Sequence, residues 1–185
     1  ERAVKADPSK PAILKDLAVV LASDQRIDES VAKYKQYLAK VPGDDAAALA
    51  LATTLTWSKS KEQIKEGEQL LSEYLAKHPN ADDALLQRAR ARSWTGQGEG
   101  AEADYRAYLA KHPNDGKVKL ELAQALSARK DPKAFAAAIA IYDQHLAANP
   151  QDMPIVLQRG RVHGWAGQIP EAITDFRAYL KTKPD

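Results

Sequence analysis

The chain has 185 residues, room for one domain or a run of small repeats, and its 27 basic against 25 acidic side chains leave a net charge of +2. That balance argues against nucleic acid or an anionic membrane as partner, and no apolar run approaches the roughly 20 residues of a membrane span. With no cysteine there is no disulfide framework, thiolate metal site or thiol nucleophile, and the redox compartment is not encoded.

In chain order, the segment from Glu1 to about residue 10 reads as the tail of a second helix from a truncated upstream repeat, with Ala3-Val4 standing where Tyr37-Leu38 stand one repeat later. From there, apolar residues three and four apart predict two alternating sets of amphipathic helices. The first set covers Pro11 to Ala22, Asp45 to Trp57, Asp82 to Trp94, Gly116 to Ala128 and Pro154 to Trp165. The second covers Ile27 to Lys40, Lys61 to Lys77, Glu99 to Lys111, Pro132 to Asn149 and Pro170 to Lys183. Ser60-Lys61-Glu62-Gln63 reads as a capping box and Asp131-Pro132 as an N-cap followed by proline at the first helical position. Lys40, Lys77 and Lys111 suit negative helix C-termini, as do His78 and His112. Period-two alternation is missing, so the class is all α.

Six prolines punctuate these pairs. Pro8, Pro42, Pro79, Pro113, Pro150 and Pro184 are spaced by 34, 37, 34, 37 and 34 residues, so a longer period of 71 underlies the shorter one. Residues 71 apart do match: Leu86-Gln87-Arg88, Arg90, Trp94 and Gly96-Gln97 recur as Leu157-Gln158-Arg159, Arg161, Trp165 and Gly167-Gln168. The pattern is a duplicated two-repeat unit. The three extra residues of the longer repeats fall at the start of the second helix, which predicts about one additional turn, ~4.5 Å, near Lys59 to Glu66 and Lys130 to Ala137.

Within each repeat, small residues stand on the first helix (Ala18, Ala52, Ala89, Ala123, Gly160) and early in the second (Ser30, Gly67, Ala101, Ala138, Ala172). Four residues after the latter comes a bulky side chain: Tyr34, Leu71, Tyr105, Tyr142 or Phe176. In these columns and in its 34-residue unit the chain resembles the tetratricopeptide repeat family. The resemblance implies a right-handed superhelical solenoid of five helix-turn-helix repeats, about 11-44, 45-81, 82-115, 116-152 and 153-185, plus the partial N-terminal repeat. Two departures stand out. The turn glycine is kept only as Gly96 and Gly167, and where the family prefers a small residue three positions after the bulky one, this chain has Tyr37, Tyr74, Tyr108, His145 and Tyr179. Because arrays need polar end caps, an opening at Glu1 and a last residue Asp185 directly after an anchor proline read as a longer protein cut at both ends.

No reactive constellation emerges. None of the four histidines has a second ligand at helical spacing, and Gly96-Gln97-Gly98-Glu99-Gly100 follows a helix and not a strand, so it reads as a turn between helices and not as a phosphate loop. Asp44-Asp45 and Asp82-Asp83 sit where helix starts need acceptors. The expectation is therefore no enzyme, no cofactor and no metal. All seven tyrosines fall in two second-helix columns, as core residues would. Trp57, Trp94 and Trp165 share one column at the first-helix end, where they either plug the helix-turn junction, the reading preferred here because Ser23 and Ala128 fill the same station, or pave the groove that first helices line in this family.

Arginine supplies the sharper contrast. Arg88 and Arg159 replace Leu17, Leu51 and Leu122, and only those two repeats carry Asp104 and Asp175 in the second helix, so Arg88 with Asp104 and Arg159 with Asp175 are expected as ion pairs between helices. Arg90 and Arg161, on another face and with no acid tracking them, are candidate groove residues, together with Trp94, Trp165, Trp57 and His163.

What the resemblance implies is a protein-interaction scaffold holding a peptide or partner protein in a concave groove. The alternative is a module of a bacterial envelope protein assisting exopolysaccharide synthesis or export, since the Arg, Trp and Gly-Gln sequence is similar to repeats of such proteins. That alternative adds polysaccharide as a possible partner and favours the periplasm over the cytoplasm. The Lys/Asn/Arg clamp by which some relatives hold a C-terminal carboxylate is not reproduced: Lys15 could serve, but Val19, Ala50, Asp83 and Gln87 occupy the other stations.

Overall fold

The computed structural model describes residues 11–182. Both the helix-tail segment expected over residues 1–10 and the last anchor proline lie outside these. Among the described residues there are ten helices: α1 (Pro11–Ser23), α2 (Ile27–Leu38), α3 (Asp45–Thr56), α4 (Lys61–Lys77), α5 (Asp82–Thr95), α6 (Gly98–Lys111), α7 (Gly116–Ala128), α8 (Pro132–Ala148), α9 (Met153–Trp165) and α10 (Ile169–Leu180). The bounds follow the periodicity read from the sequence to within a few residues. The protein is an all-α helical repeat, and no described helix is long and apolar enough to cross a membrane.

The chain divides into two compact units, Glu1–Thr95 and Gly96–Asp185. In the first, α1 pairs with α2 and α3 with α4, and α5 packs on α4. In the second, α6 packs on α7, α7 pairs with α8 and α9 with α10, and α8 packs on α9. The small-residue columns explain the tight pairing. Ala18 and Ala52 are fully buried, and Ser30 Oγ donates to the Ala18 carbonyl at 2.7 Å. A Cβ added to Gly67 would lie 2.8 Å from the Ala52 carbonyl oxygen, so α3 and α4 can touch only because that side chain is absent. Leu51 and Leu55 of α3 then gather with Val31 and Tyr34 of α2 into one apolar cluster, against which Ile27 and Leu38 pack. Each such fully buried leucine contributes ~1.5–3 kcal/mol by leaving water.

The extra turn of the longer repeats is real and sits where expected. α4 and α8 have 17 residues each, against 12 for α2 and α10 and 14 for α6. Measured to the small residue of each helix, the addition lies at the N-terminus. These longer helices also start differently. Ser60 Oγ accepts from the Gln63 amide and Asp131 Oδ1 from the Ala134 amide, whereas α2, α6 and α10 begin without a side-chain cap. The capping box is only half formed, because Gln63 Nε2 turns away to donate to Asp28 Oδ1 at 2.9 Å and the Ser60 amide donates to Ser58 Oγ.

The uncapped starts are supported by the preceding turn. After α9, Gly167 takes φ +76°, the Gln168 amide donates to the His163 carbonyl and the Gly167 amide to the Gly164 carbonyl. This is a Schellman closure. After α1 the same six-to-one bond runs from the Arg26 amide to the Leu21 carbonyl, with Gln25 at φ +59° in glycine's place. Lys130 (φ +57°) and Gly96 (φ +85°) fill the same station. The turn is therefore fixed and not loose, and it forms without glycine in two repeats.

The tyrosine column that departs from the family pattern reaches across to the following repeat. Tyr37 Oη donates to Asp44 Oδ2 at 2.7 Å while the Ala47 amide donates to Asp44 Oδ1, so one carboxylate caps α3 and ties it to α2. Lys15 Nζ donates to the same Oδ2 at 2.7 Å, and these bonds hold the Asp44 carboxyl well below the ordinary range, Lys15 first, then Tyr37 and the Ala47 amide. In the second unit, Tyr108 Oη donates to Asp115 Oδ2 and the Val118 amide to Asp115 Oδ1. His145 Nε2 lies 2.8 Å from Asp152 Oδ2, again a helix-capping aspartate. Ala81 stands at the equivalent station before α5, where no such clasp can form; there Tyr74 stacks on His78 at 4.4 Å between centroids.

Candidate functional site

The expected ion pair of the second unit is present. Arg159 of α9 makes a two-pronged contact with Asp175 of α10, Nε to Oδ2 at 2.9 Å and Nη2 to Oδ1 at 2.6 Å. Its third arm, Nη1, reaches Asp143 of α8 at 2.7 Å, a partner the sequence did not announce. The two carboxylates hold the guanidinium more strongly protonated than usual, Asp175 foremost. Arg88, 71 residues earlier, donates from Nη1 to Ser72 Oγ at 3.3 Å, the station of Asp143. Asp104 is buried and belongs to the second unit. A neighbouring cluster ties Arg129 to Glu102, with Asp131 and Glu99 beside it. These groups clamp helices together.

The tryptophans overturn the plug reading. Trp57, Trp94 and Trp165 are 53 %, 76 % and 59 % exposed. Trp57 and Trp165 each wall an open cavity. In the first unit a cavity of ≈ 390 Å³ lies between α1 and α3, with Val19, Ala22, Ala50 and Thr53 on its sides, Tyr34 at its back and Trp57 at one end. On the other side of Trp57 a larger one, ≈ 900 Å³, runs past Gln25, Ile27, Asp28 and Lys59 at the turns. In the second unit one cavity of ≈ 510 Å³ joins both regions: Gln124, Ser127 and Gln158 on the sides, Tyr142 at the back, Trp165 at the end, and Phe135 and Lys130 toward the turns.

Station by station the two are the same construction. Val19 becomes Gln124, Ala22 becomes Ser127, Ala50 becomes Gln158, Tyr34 becomes Tyr142 and Trp57 becomes Trp165. Burial raises both phenol pKa values, opposed at Tyr34 by Lys15 and at Tyr142 by a hydrogen bond with Ser127. Chemically the first cavity is apolar with a hydroxyl rim, and the second carries two amides, each able to donate and accept. Phe135 lies 6.3 Å from Trp165 between ring centroids and extends the aromatic wall.

Other candidates fall elsewhere. Arg161 is exposed in the same column as Val19 and Gln124, so its helix face is the groove face. Arg90 shares that column, is half-buried and has an electrostatic or hydrogen-bonding partner. His163 is not a groove residue: it is 8 % exposed, bonded through Nδ1 to Gln168 Oε1 at 2.6 Å, and fills the column of the buried Leu21, Leu55 and Leu126. Lys15 is taken up by Asp44 and lies over the Tyr37 ring, which removes the one clamp station it could have served. Gln124 and Gln158 were missed, although the first shares a column with Arg90 and Arg161 and the second recurs as Gln87. Among the described residues no group of three histidine, aspartate or glutamate side chains could hold a metal ion.

Two family models, both described as Tetratricopeptide repeat, match residues 1–45 and 83–115. Comparison with curated proteins finds no match. Among solved structures, one titled MamA MSR-1 C2 superposes with a TM-score of 0.76 at 18% identity, covering 92% of this chain and 95% of that one. A tetratricopeptide repeat protein from Parabacteroides merdae gives 0.74 at 16% identity, covering 100% of this chain and 70% of the other. YrrB, described as a TPR protein with an unusual peptide-binding site, gives 0.71 at 14% identity over 100% of this chain and 92% of its own. At these identities the likeness is one of fold.

Proposed function

Because the chain belongs to the tetratricopeptide-repeat family, we propose that it is a protein-interaction scaffold whose first-helix groove holds an extended peptide segment of a partner. The observation that carries this reading is the pair of equivalent cavities, one in each unit, each ending on a tryptophan more than half exposed. An indole is a large rigid surface that gains much from a covering side chain at little entropic cost, and such residues dominate binding where they are accessible. The apolar cavity at Trp57 suits a leucine- or methionine-like side chain. At Trp165 the Gln124 and Gln158 amides offer the donor and acceptor pairs that a peptide backbone needs. YrrB, with its peptide-binding site, lends the reading support by analogy of fold.

Screening a displayed peptide library against the protein tests it. Selected peptides should quench or shift tryptophan fluorescence, and Trp165→Ala or Gln158→Ala should weaken them about ten-fold, the equivalent of ~1.4 kcal/mol, with helicity unchanged. Peptides that bind equally well to Trp57→Ala and Trp165→Ala variants would sink the proposal. A second reading, a bacterial-envelope module contacting polysaccharide in the periplasm, draws on the same features, since aromatic faces flanked by amides suit sugar rings. Oligosaccharide titration in the same fluorescence assay separates it from the first.

A further inference from the structure

The two equivalent cavities differ in charge. Every residue lining the one between α1 and α3 is uncharged, whereas the one at Trp165 takes in Lys130 at its turn end. Arg161 stands beside it. Three residues after Gln158 and four before Trp165, both in the lining, it shares their face of α9. Its station in the first unit is that of Thr53, which lines the cavity there, and the station of Lys130 is that of Gln25. Gln124, in the same column as Arg161 but in the middle of the unit, is exposed as well, so the exposure is a property of the column. Neither cation has a hydrogen-bond or ion-pair partner among the described residues. The acids that adjoin the lining are occupied: Asp131 caps α8 and contacts Arg129, Asp143 bonds Arg159, and Glu121 accepts from Tyr105.

We infer that the cavity at Trp165 selects an acidic peptide segment, with side-chain carboxylates on either side of the apolar residue that covers the indole, and that Arg161 and Lys130 set this preference. The inference rests on the peptide-binding reading of the groove and adds to it the composition of the ligand. Four residues of helix put Arg161 ~6 Å from Trp165 along α9, the span of about two residues of extended chain. The carboxylate that meets the guanidinium therefore belongs about two positions from the covering side chain. Lys130, toward the turns, meets a second one on the other flank. Between them the Gln124 and Gln158 amides serve the peptide backbone. A guanidinium takes a carboxylate through two parallel bonds, and an ammonium acts as a point charge. Both cations sit at an open rim, where such contacts are individually weak and screened by salt. Their effect is to choose among peptides that the aromatic wall alone would hold equally.

An array of synthetic peptides with both ends blocked, a central leucine and randomised flanks tests it, with affinities of the bound sequences taken from tryptophan fluorescence. Aspartate and glutamate should be enriched about two positions from the leucine, and the same peptides with asparagine and glutamine there should bind several-fold more weakly. Arg161→Thr and Lys130→Gln copy the first unit's residues at these stations. Each should weaken the acidic peptides about three-fold and leave their amide versions unchanged, with the helical circular dichroism intact. Arg161→Glu should turn the preference toward lysine-bearing peptides, a gain that only folded protein can show. Peptides that need Trp165 but show no acidic preference, or that lose nothing in Arg161→Thr, would overturn this inference and leave the groove reading standing. A charge effect confined to peptides with a free C-terminal carboxylate would overturn it too, and an array with no bound peptide would defeat both.

Discussion

Truncating Asp175 to alanine should cost far more than truncating Asp143, although both carboxylates bond the same guanidinium. The side chains of Asp175 and Arg159 are 5% and 24% exposed, and their contact uses two parallel charge-assisted bonds. Bonds of this kind are worth ~1.5–3 kcal/mol each where water is excluded. Asp143 still neutralises the guanidinium from the solvent side in the Asp175→Ala variant, so the expected loss is ~2–3 kcal/mol, below the 3–5 of a fully isolated charge. Asp143 is half-exposed, and its removal should cost no more than ~1 kcal/mol. The chain also contains the apolar alternative. The stations of Arg159 and Asp175 are held by Leu51 and Leu70 in one repeat and by Leu122 and Ile141 in another. The double variant Arg159→Leu, Asp175→Ile should therefore recover most of what either single change loses. Urea unfolding followed by circular dichroism gives each value. Equal costs for the two aspartates, or a double variant as unstable as the sum of its parts, would show that the bidentate contact is not what holds α9 to α10.

Two further outcomes follow from the joints and turns. Asp44 titrates lower in the folded protein than in the unfolded chain, so its contribution is in place above about pH 4, the unfolded carboxyl range, and is lost as the pH falls through the folded value; an acid series of urea midpoints should fall more steeply for the native sequence than for Asp44→Asn. Gly167→Ala should destabilise by ~1 kcal/mol because a Cβ is disfavoured at positive φ, and Lys130→Gly at the matching station should be neutral or gain a few tenths, both read from thermal melts.

Helix placement was legible because two signals agree, the apolar spacing of three and four and the proline punctuation every 34 or 37 residues. The Arg159–Asp175 pair was legible as co-occurrence: the arginine column and the aspartate column change together. Asp143 carried no such signal, since its counterpart in the equivalent repeat is Ser72, which bonds Arg88 without charge. Tryptophan's exposure could not be read from its column, because Ser23 and Ala128 share that station and the open side of the groove exists only after the helices stack. For His163 the signal was there and was outweighed by its arginine neighbours: every interior column mate except Arg92 is a leucine. The turns at Gln25 and Lys130 gave no warning, since a left-handed residue other than glycine is fixed by the hydrogen bonds around it and leaves no mark in composition.

The aspartate clasps have a consequence for how disturbance travels. Where Asp44, Asp115 and Asp152 both cap their own helix and grip the preceding one, a repeat cannot unravel at its start without also releasing its neighbour, so adjacent hairpins melt together. Before α5 the carboxylate gives way to Ala81, and the tie to α4 moves further along the helix, to Arg88 with Ser72 and Arg92 with Glu68. In a quasi-linear array the weakest coupling between neighbours marks where one cooperative block ends. The joint between α4 and α5 is not such an end: Arg88 and Arg92, farther along α5, hold it to α4 even where its first turn loosens.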